Sequence, residues 1–156
     1  MTTSPQTCLI TGASGGVATA LADALRAEGW RLALVARDCA RIVHVDGEIA
    51  IEADVSTEAG ARSAFDTAKA AFGAAPDAVV NCAGAVLIAP IARTSEQQYR
   101  DCLSANLDTA FFVAKADTMA LQAEKRGGAL VLFSSVAAGV GVSNHAAIAM
   151  AKGGVE

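Results

Sequence analysis

The sequence predicts an α/β fold in which a doubly wound parallel sheet is covered by helices on both faces. Short apolar segments alternate with longer segments of helical periodicity along the 156 residues. The apolar segments are nearly continuous, as is typical of parallel strands that are buried on both faces. A glycine-rich turn within Thr11–Ala18 joins the first apolar segment to the first helical one. These observations favour right-handed strand–helix–strand crossovers.

Five segments are predicted as strands because they are short, apolar and bounded by turn residues. In chain order they are Thr7–Ile10, Leu32–Ala36, Ile49–Ala53, Ala78–Asn81 and Leu130–Phe133. Helices are predicted where apolar side chains recur every three or four residues, as Val17, Leu21 and Leu25 do. The predicted helices are Gly16–Glu28, Thr57–Phe72 and Ser95–Lys125, with another that starts near His145. Residues 37–48 leave little room for a helix, so a short irregular connection is predicted there.

Composition argues against several classes of function. The formal net charge of −4 and the lack of a block of like charges argue against a nucleic-acid surface. No apolar run is as long as a membrane span, and a signal peptide is not expected at the N-terminus. The four cysteines have neither metal-ligand spacing nor clustered histidines, so no metal site and no disulfide framework are predicted. Unpaired thiols favour a reducing, cytoplasmic location.

Polar and glycine residues follow each predicted strand. They are Gly12–Gly16, Arg37, Asp54, Asn81–Gly84 and the pair Ser134-Ser135. The carboxyl ends of parallel strands share one edge of the sheet, and ligands bind at that edge. Glycines let the backbone approach a ligand, while the first amides and the dipole of the following helix favour an anion. The sequence therefore predicts a phosphate-binding cleft at this edge.

These motifs, in this order, resemble those of the short-chain dehydrogenase/reductase family over nearly the whole chain. Thr11-Gly12-x-x-x-Gly16-x-Ala18 is similar to the family's T-G-x-x-x-G-x-G loop, with alanine for the last glycine. Asp54-Val55 resembles the D-V pair beside the adenine, and Asn81-Cys82-Ala83-Gly84 resembles N-N-A-G. The resemblance implies a Rossmann-type fold that binds a nicotinamide coenzyme. The coenzyme-binding residues that it implies are Gly12, Ser14, Gly15, Gly16, Val17, Arg37, Asp54, Val55, Asn81, Ala83, Gly84 and Lys152.

The residue that follows the second strand bears on the choice of coenzyme. An acidic residue there pairs with the ribose 2′-hydroxyl, whereas an arginine accommodates a 2′-phosphate. Arg37 takes this position, so NADP(H) is favoured over NAD(H). Two residues weigh against this preference: Asp38 is acidic, and Gly15 stands where NADP-preferring relatives often carry a basic side chain.

The resemblance also implies catalytic residues. Asn106 matches the helical asparagine, Ser135 the serine that polarises a carbonyl, and Lys152 the lysine of Y-x-x-x-K. Ile148 stands at the position of the proton-donating tyrosine, because the spacings from Ser135 and from Lys152 both lead to it. Isoleucine has no titratable proton, so the usual acid is absent.

His145 is the tentative replacement for that acid. It precedes Ile148 by three residues, so the two side chains share a face if the helix has already begun. An imidazole there can donate a proton near neutral pH. The favoured alternative is that His145 precedes or caps the helix with its ring in solvent. Tyr99, the one tyrosine of the chain, resembles a packing position of the family.

The predicted function is that of an NAD(P)(H)-dependent oxidoreductase that transfers hydride between nicotinamide and a carbonyl, an alcohol or an activated double bond. The alternative is a non-catalytic coenzyme-binding protein that acts as a sensor or an assembly subunit. The resemblance implies a small-molecule substrate and a homodimer or homotetramer. Family members usually have roughly 250 residues. Residues 1–156 are therefore expected to be one dinucleotide-binding domain, truncated before the C-terminal strands and the substrate loop.

Overall fold

The computed structural model describes residues 5–156, which form a five-stranded parallel sheet with helices on both faces. The strands are β1 (Thr7–Thr11), β2 (Arg31–Ala36), β3 (Ile49–Glu52), β4 (Ala78–Asn81) and β5 (Ala129–Leu132). Their order across the sheet is β3-β2-β1-β4-β5, so the winding direction reverses between β1 and β4. The predicted doubly wound α/β class is confirmed. Sheets of this kind bind ligands at the crevice where the strand order reverses.

The helices follow the predicted order, with two differences. They are α1 (Gly16–Ala27), α2 (Glu58–Phe72), α3 (Glu96–Leu103), α4 (Thr109–Glu124), α5 (Val136–Gly139) and α6 (Ala146–Gly153). A π-helical turn, Ser104–Asp108, interrupts the segment predicted as one long helix. The short helix α5 was not predicted, because four residues are too few to show a helical periodicity. A single 3₁₀ turn at Cys39–Arg41 lies in the connection predicted to be irregular.

Two hydrophobic clusters cover the two faces of the sheet. On one face, Leu9, Val35 and Val79 pack against Phe65 of α2 and Val113 of α4. On the other face, strand residues pack against α1; this cluster includes Cys8, Ile10, Leu32, Leu34, Val80, Ala18 and Ala22. The strands β1 to β4 contribute to both clusters through alternate side chains, which explains why they appear as continuous apolar segments in the sequence, whereas β5 contributes only Leu130 to the first cluster.

Side-chain caps begin the helices α2 and α3. The Thr57 hydroxyl accepts a hydrogen bond from Gly60 N at 3.1 Å and begins α2. Ser95 and Gln98 form a reciprocal capping box that begins α3. Asn144 has a positive φ of 64° and precedes His145, the N-cap residue of α6.

None of the helices within residues 5–156 is long and apolar enough to cross a membrane.

The amino-terminal edge of the sheet is held by a separate polar cluster. The Asp77 carboxylate accepts hydrogen bonds from Thr7 N at 2.8 Å, from the Thr7 hydroxyl at 2.9 Å and from the Arg126 guanidinium. Burial raises the pKa of Asp77, but these hydrogen bonds outweigh it, so the net pKa lies below the ordinary value. This cluster ties β1, β4 and the end of α4 together, away from the cleft described next.

Candidate functional site

A cleft of about 680 Å³ lies at the carboxyl ends of β1 to β4. Of the coenzyme-binding residues predicted from the sequence, those that line the cleft are Gly12, Ser14, Gly15, Arg37, Asp54, Val55, Ala83 and Gly84. Gly16, Val17, Asn81 and Lys152 are not among the lining residues. Val17 is 62% exposed on α1, whereas Asn81 is buried behind the cleft wall. The sheet therefore brings most of the predicted set to one place.

The glycine turn has the backbone geometry of an anion cradle. Gly12 has a φ of +64°, and a Cβ there would lie 2.7 Å from Ala83 N, so only glycine fits between the two loops. Gly15 is the N-cap residue of α1 and provides no side-chain cap, and the first turn of α1 has no acidic residue. The first amides of α1 are thus left without an acidic or capping side chain, as a bound pyrophosphate requires.

Arg37 is the one lysine or arginine among the residues that line the cleft. Ser14 and Gly15 line the same cleft. Asp38 does not line the cleft. Its carboxylate accepts a hydrogen bond from Ala40 N at 3.0 Å and caps the following 3₁₀ turn. On the neighbouring strand end, the hydrogen bond from the Ser56 hydroxyl lowers the pKa of Asp54, and the positive charge of Arg37 lowers it further.

Asn81 supports the cleft from behind. Its side-chain oxygen accepts a hydrogen bond from the Thr11 hydroxyl, and its Nδ2 donates to the Thr109 hydroxyl at 3.5 Å. The same Thr11 hydroxyl accepts a hydrogen bond from Ala83 N at 3.3 Å. Asn81 thereby links β1, β4 and α4 just below the cleft floor. Because these side chains are buried and paired with each other, their arrangement is rigid.

Asn106 lies in the π-helical turn, and its side chain reaches the loop after β4. Its Nδ2 donates to Ala85 O at 2.8 Å and to Cys102 O at 2.9 Å. A Cβ on Gly84 would lie only 2.9 Å from Asn106 Oδ1, so the glycine permits this contact. π-Helical turns often occur at functional sites, because the wider turn changes where side chains and carbonyls point.

Lys152 meets Asn106 at Gly84. Its Nζ lies 3.8 Å from where a Gly84 Cβ would be, and it donates a hydrogen bond to Phe133 O at 2.8 Å. Burial lowers the pKa of Lys152 below that of an ordinary lysine, because desolvation disfavours the charged form. Burial likewise raises the pKa of the neighbouring Cys102 thiol. An ammonium and an amide thus converge beside one end of the cleft.

Ile148 is buried next to Cys102, whose backbone oxygen accepts a hydrogen bond from Asn106. It is 5% exposed and forms a small apolar cluster with Cys102 and Ala147, against which Leu87 and Tyr99 pack. The contact of Tyr99 with this cluster agrees with the packing position expected for it. The residue at the tyrosine position thus joins α6 to α3 by apolar contact. It offers no hydrogen-bonding group to the cleft.

His145 lines a second cavity, separate from the cleft, and Ser135 is hydrogen-bonded to another residue of its wall. The Ser135 hydroxyl accepts a hydrogen bond from Ala137 N at 3.2 Å and caps α5. His145 is partly buried, and its Nδ1 lies 2.7 Å from Ser143 O. Ala137 and His145 both line a cavity of about 410 Å³. The four predicted catalytic residues are therefore divided between two neighbouring places.

The sequence predictions missed the helical wall of the cleft. Asp101, Ser104, Ala105 and Thr109 line it from α3, the π-helical turn and α4, and Ser56 lines it from the loop after β3. The four-residue spacing of 101, 105 and 109 is a signal that marks one helix face.

Within residues 5–156, no group of three or more His, Cys, Asp or Glu side chains is arranged to hold a metal ion.

The parallel sheet, the strand reversal and the glycine turn before α1 define a Rossmann-type α/β protein. The family model described as short chain dehydrogenase matches residues 6–156. The chain belongs to the short-chain dehydrogenase family.

Individual relatives agree with this assignment. The chain is 30% identical to (3R)-3-hydroxyacyl-CoA dehydrogenase of Mus musculus, covering 94% of this chain and 62% of the relative. It is also 30% identical to NADP-dependent (R)-specific alcohol dehydrogenase of Lentilactobacillus kefiri, covering 94% and 61%. It is 34% identical to D-threitol dehydrogenase of Mycolicibacterium smegmatis, covering 94% and 59%. The chain thus spans about three fifths of the length of these relatives.

A solved structure shares the fold. The crystal structure of a short-chain dehydrogenase from Streptomyces avermitilis superposes with a TM-score of 0.87 at 24% sequence identity. The match covers 97% of this chain and 57% of that one. The sheet order and the helical layers are therefore those of a known dehydrogenase fold.

Proposed function

We propose that this protein is an oxidoreductase that binds NADP(H) and transfers hydride between the nicotinamide and a carbonyl, an alcohol or an activated double bond. One observation carries the proposal. The uncapped N-terminus of α1, the Arg37 side chain and the Asn106–Lys152 pair all lie along one edge of the sheet. Membership of a dehydrogenase family supports the same activity.

The preference for NADP(H) rests on Arg37 and Asp38 together. Arg37 lines the cleft, and the carboxylate of Asp38 is held by the amide of Ala40. A guanidinium pairs with phosphate through charge-assisted hydrogen bonds, whereas a ribose hydroxyl gains little from it. The name of the Lentilactobacillus kefiri relative, which describes that enzyme as NADP-dependent, is in line with this preference.

The bound nicotinamide would supply the hydride. The side chains of the protein would position the coenzyme and the substrate. Lys152 would hold the ribose, and Asn106 would hold the loop at Ala85 in place beside it. Ser135 would orient the substrate oxygen. With Ile148 at the tyrosine position, the proton would come from water or from His145, whose ring lies on the wall of the second cavity.

A second candidate function follows from Ile148. Its side chain is buried in an apolar cluster and provides no acid, which favours a protein that binds coenzyme without catalysis. The same coenzyme site would then serve sensing or assembly.

Replacing Ile148 separates the two functions. Ile148→Tyr adds a phenol, and Ile148→Phe adds the same ring without the hydroxyl. A positioned general acid contributes about 10²–10⁴ in rate. For a catalytic site, we expect the tyrosine variant to oxidise NADPH at least about 100-fold faster than the phenylalanine variant with a panel of ketones and aldehydes. Saturable NADPH binding with equal, background rates in both variants would favour the non-catalytic function.

The cellular compartment and the oligomeric state are also part of the proposal. The four cysteines are free thiols, which supports a reducing compartment such as the cytoplasm. Resemblance to the family supports a homodimer or homotetramer of a longer chain, in which residues 1–156 form one coenzyme-binding domain. Analytical ultracentrifugation of the longest natural form would test the assembly.

A further inference from the structure

Arg37 and Asp54 follow neighbouring strands and lie next to each other at the edge of the cleft. Ala53 N donates a hydrogen bond to Ala36 O at 2.9 Å, and Arg37 and Asp54 are the next residues along the chain. Both line the cleft. The hydrogen bond from Ser56 lowers the pKa of Asp54 most, and the positive charge of Arg37 lowers it further. A guanidinium and a carboxylate in this arrangement are expected to attract each other.

The two side chains nevertheless form no ion pair. In the part of the chain that the structure describes, no ion pair includes Arg37. The Asp54 carboxylate instead accepts two hydrogen bonds at Oδ1, from Ser56 N at 3.0 Å and from the Ser56 hydroxyl at 2.7 Å. Hydrogen bonds to an ionised carboxylate are stronger than those between neutral groups. The carboxylate is therefore held at Ser56 rather than at Arg37.

The backbone of this loop is fixed independently of the Ser56 side chain. Asp54 O accepts hydrogen bonds from Thr57 N at 3.2 Å and from the Thr57 hydroxyl at 3.0 Å. Gly60, in the first turn of α2, lies so close that a Cβ there would be 2.1 Å from Asp54 O. Removing the Ser56 hydroxyl would therefore leave the backbone of Asp54 in place. It would loosen only the carboxylate, which would keep the single bond from Ser56 N.

We propose that Ser56 is a positioning residue for coenzyme selection: its hydroxyl holds the Asp54 carboxylate away from Arg37, so that the guanidinium stays available to the 2′-phosphate of NADP(H). The role of the guanidinium rests on the proposed function; the hold on the carboxylate does not. A carboxylate that pairs with Arg37 competes with the phosphate for the same N–H donors. NADH has no 2′-phosphate, so this competition weakens the binding of NADPH alone.

The ratio of the Kd for NADH to the Kd for NADPH tests this proposal, measured by fluorescence titration at low ionic strength. We expect Ser56→Ala to lower the ratio by about two- to fivefold, as the energy of an exposed ion pair allows. Salt screens exposed charges, so the effect should shrink at about 1 M salt. Ser56→Thr keeps a hydroxyl and should keep the ratio of the parent protein.

A double substitution distinguishes this competition from a general disturbance of the loop. Asp54→Asn removes the charge that competes for Arg37, so adding Ser56→Ala to it should change the ratio by less than about 1.5-fold. Any contact of Asp54 with the rest of the coenzyme is common to NADPH and NADH and cancels in the ratio. The matched control is Ser63→Ala, on an exposed position of α2 that does not line the cleft, which should leave the ratio unchanged.

The position of the carboxylate can also be measured without coenzyme. Three-bond NMR couplings of Asp54 report its χ1 rotamer, and we expect one rotamer in the parent protein and averaging in Ser56→Ala. Averaged couplings in the parent protein, an unchanged ratio in Ser56→Ala, or the same loss of ratio in the Asp54→Asn background would overturn the proposal. Failure of the proposed function has a different signature. A single Asp54 rotamer in a parent protein that binds neither coenzyme would refute that function and the role in selection, while the hold on the carboxylate would stand.

Discussion

Replacing Arg37 with alanine should change coenzyme affinity selectively. Arg37 is the one cation among the lining residues of the cleft, which also include the carboxylates of Asp54 and Asp101. A hydrogen bond to a charged group contributes about 1.5–3 kcal/mol. Loss of the guanidinium should therefore raise the Kd for NADPH by about 10- to 150-fold. NADH has no 2′-phosphate, so its Kd should change by less than about threefold.

The assay is fluorescence titration of the reduced coenzymes at fixed ionic strength. Arg41→Ala is the matched control, because Arg41 carries the same charge on the adjacent 3₁₀ turn but does not line the cleft. We expect this control to change both affinities only slightly, through screened long-range charge. Equal weakening of NADPH and NADH binding in Arg37→Ala, or the same selectivity in Arg41→Ala, would refute the assignment of Arg37 to the 2′-phosphate.

Three further predictions concern the support of the site and the effect of pH. Gly84→Ala places a Cβ 2.9 Å from Asn106 Oδ1 and should lower the free energy of unfolding by about 1–3 kcal/mol in urea titrations. Asp77→Asn should cost about 1–2 kcal/mol at pH 7, because the carboxylate accepts hydrogen bonds from Thr7 and from a guanidinium. The pKa of Asp77 is lowered from 3.8, so this stabilisation is complete above that value and is lost as pH falls through the lowered pKa. Competitive acetylation should give Lys152 a titration midpoint below 10.5, since burial lowers its pKa.

Each of these predictions has a control or a contradicting result. Gly127→Ala serves as the control for Gly84→Ala, because a Cβ there meets no atom within 4 Å. If the stability difference between Asp77→Asn and the parent is unchanged from pH 7 to pH 2, the pKa of Asp77 is not lowered. A midpoint for Lys152 at or above 10.5 would contradict the lowered pKa.

The sheet could be predicted from sequence because the apolar pattern of a strand can be recognised within a few consecutive residues. The strands β1, β2 and β4 are buried on both faces, so each forms a nearly continuous apolar segment in the sequence. All five predicted strands agree with the structure to within one residue at each end. The cleft residues after the strands were predicted for the same reason, since parallel topology carries every strand end to one edge.

Features that depend on packing between distant segments were not predicted. The π-helical turn at Ser104–Asp108 has the same apolar pattern as an α-helix, and its wider turn is recognisable only in three dimensions. Asp38 could be recognised as a cap only after Ala40 was known to turn back towards it. The second cavity joins two loops about 50 residues apart in sequence, and no local pattern in either loop indicates that they meet.

Ile148 lies on α6, whereas most of the cleft is formed by the strand ends and the loops that follow them. The hydrogen bonds of the Asn81 network join β1, β4 and α4 and do not include α6. Asn106 is held by the backbone oxygens of Ala85 and Cys102, and neither bond involves the residue at position 148. A change at this position can therefore add or remove an acid without removing any of these hydrogen bonds. What Ile148 contributes instead is apolar packing between α3 and α6, so its replacement by tyrosine tests the chemistry and the packing of that helix pair in one substitution.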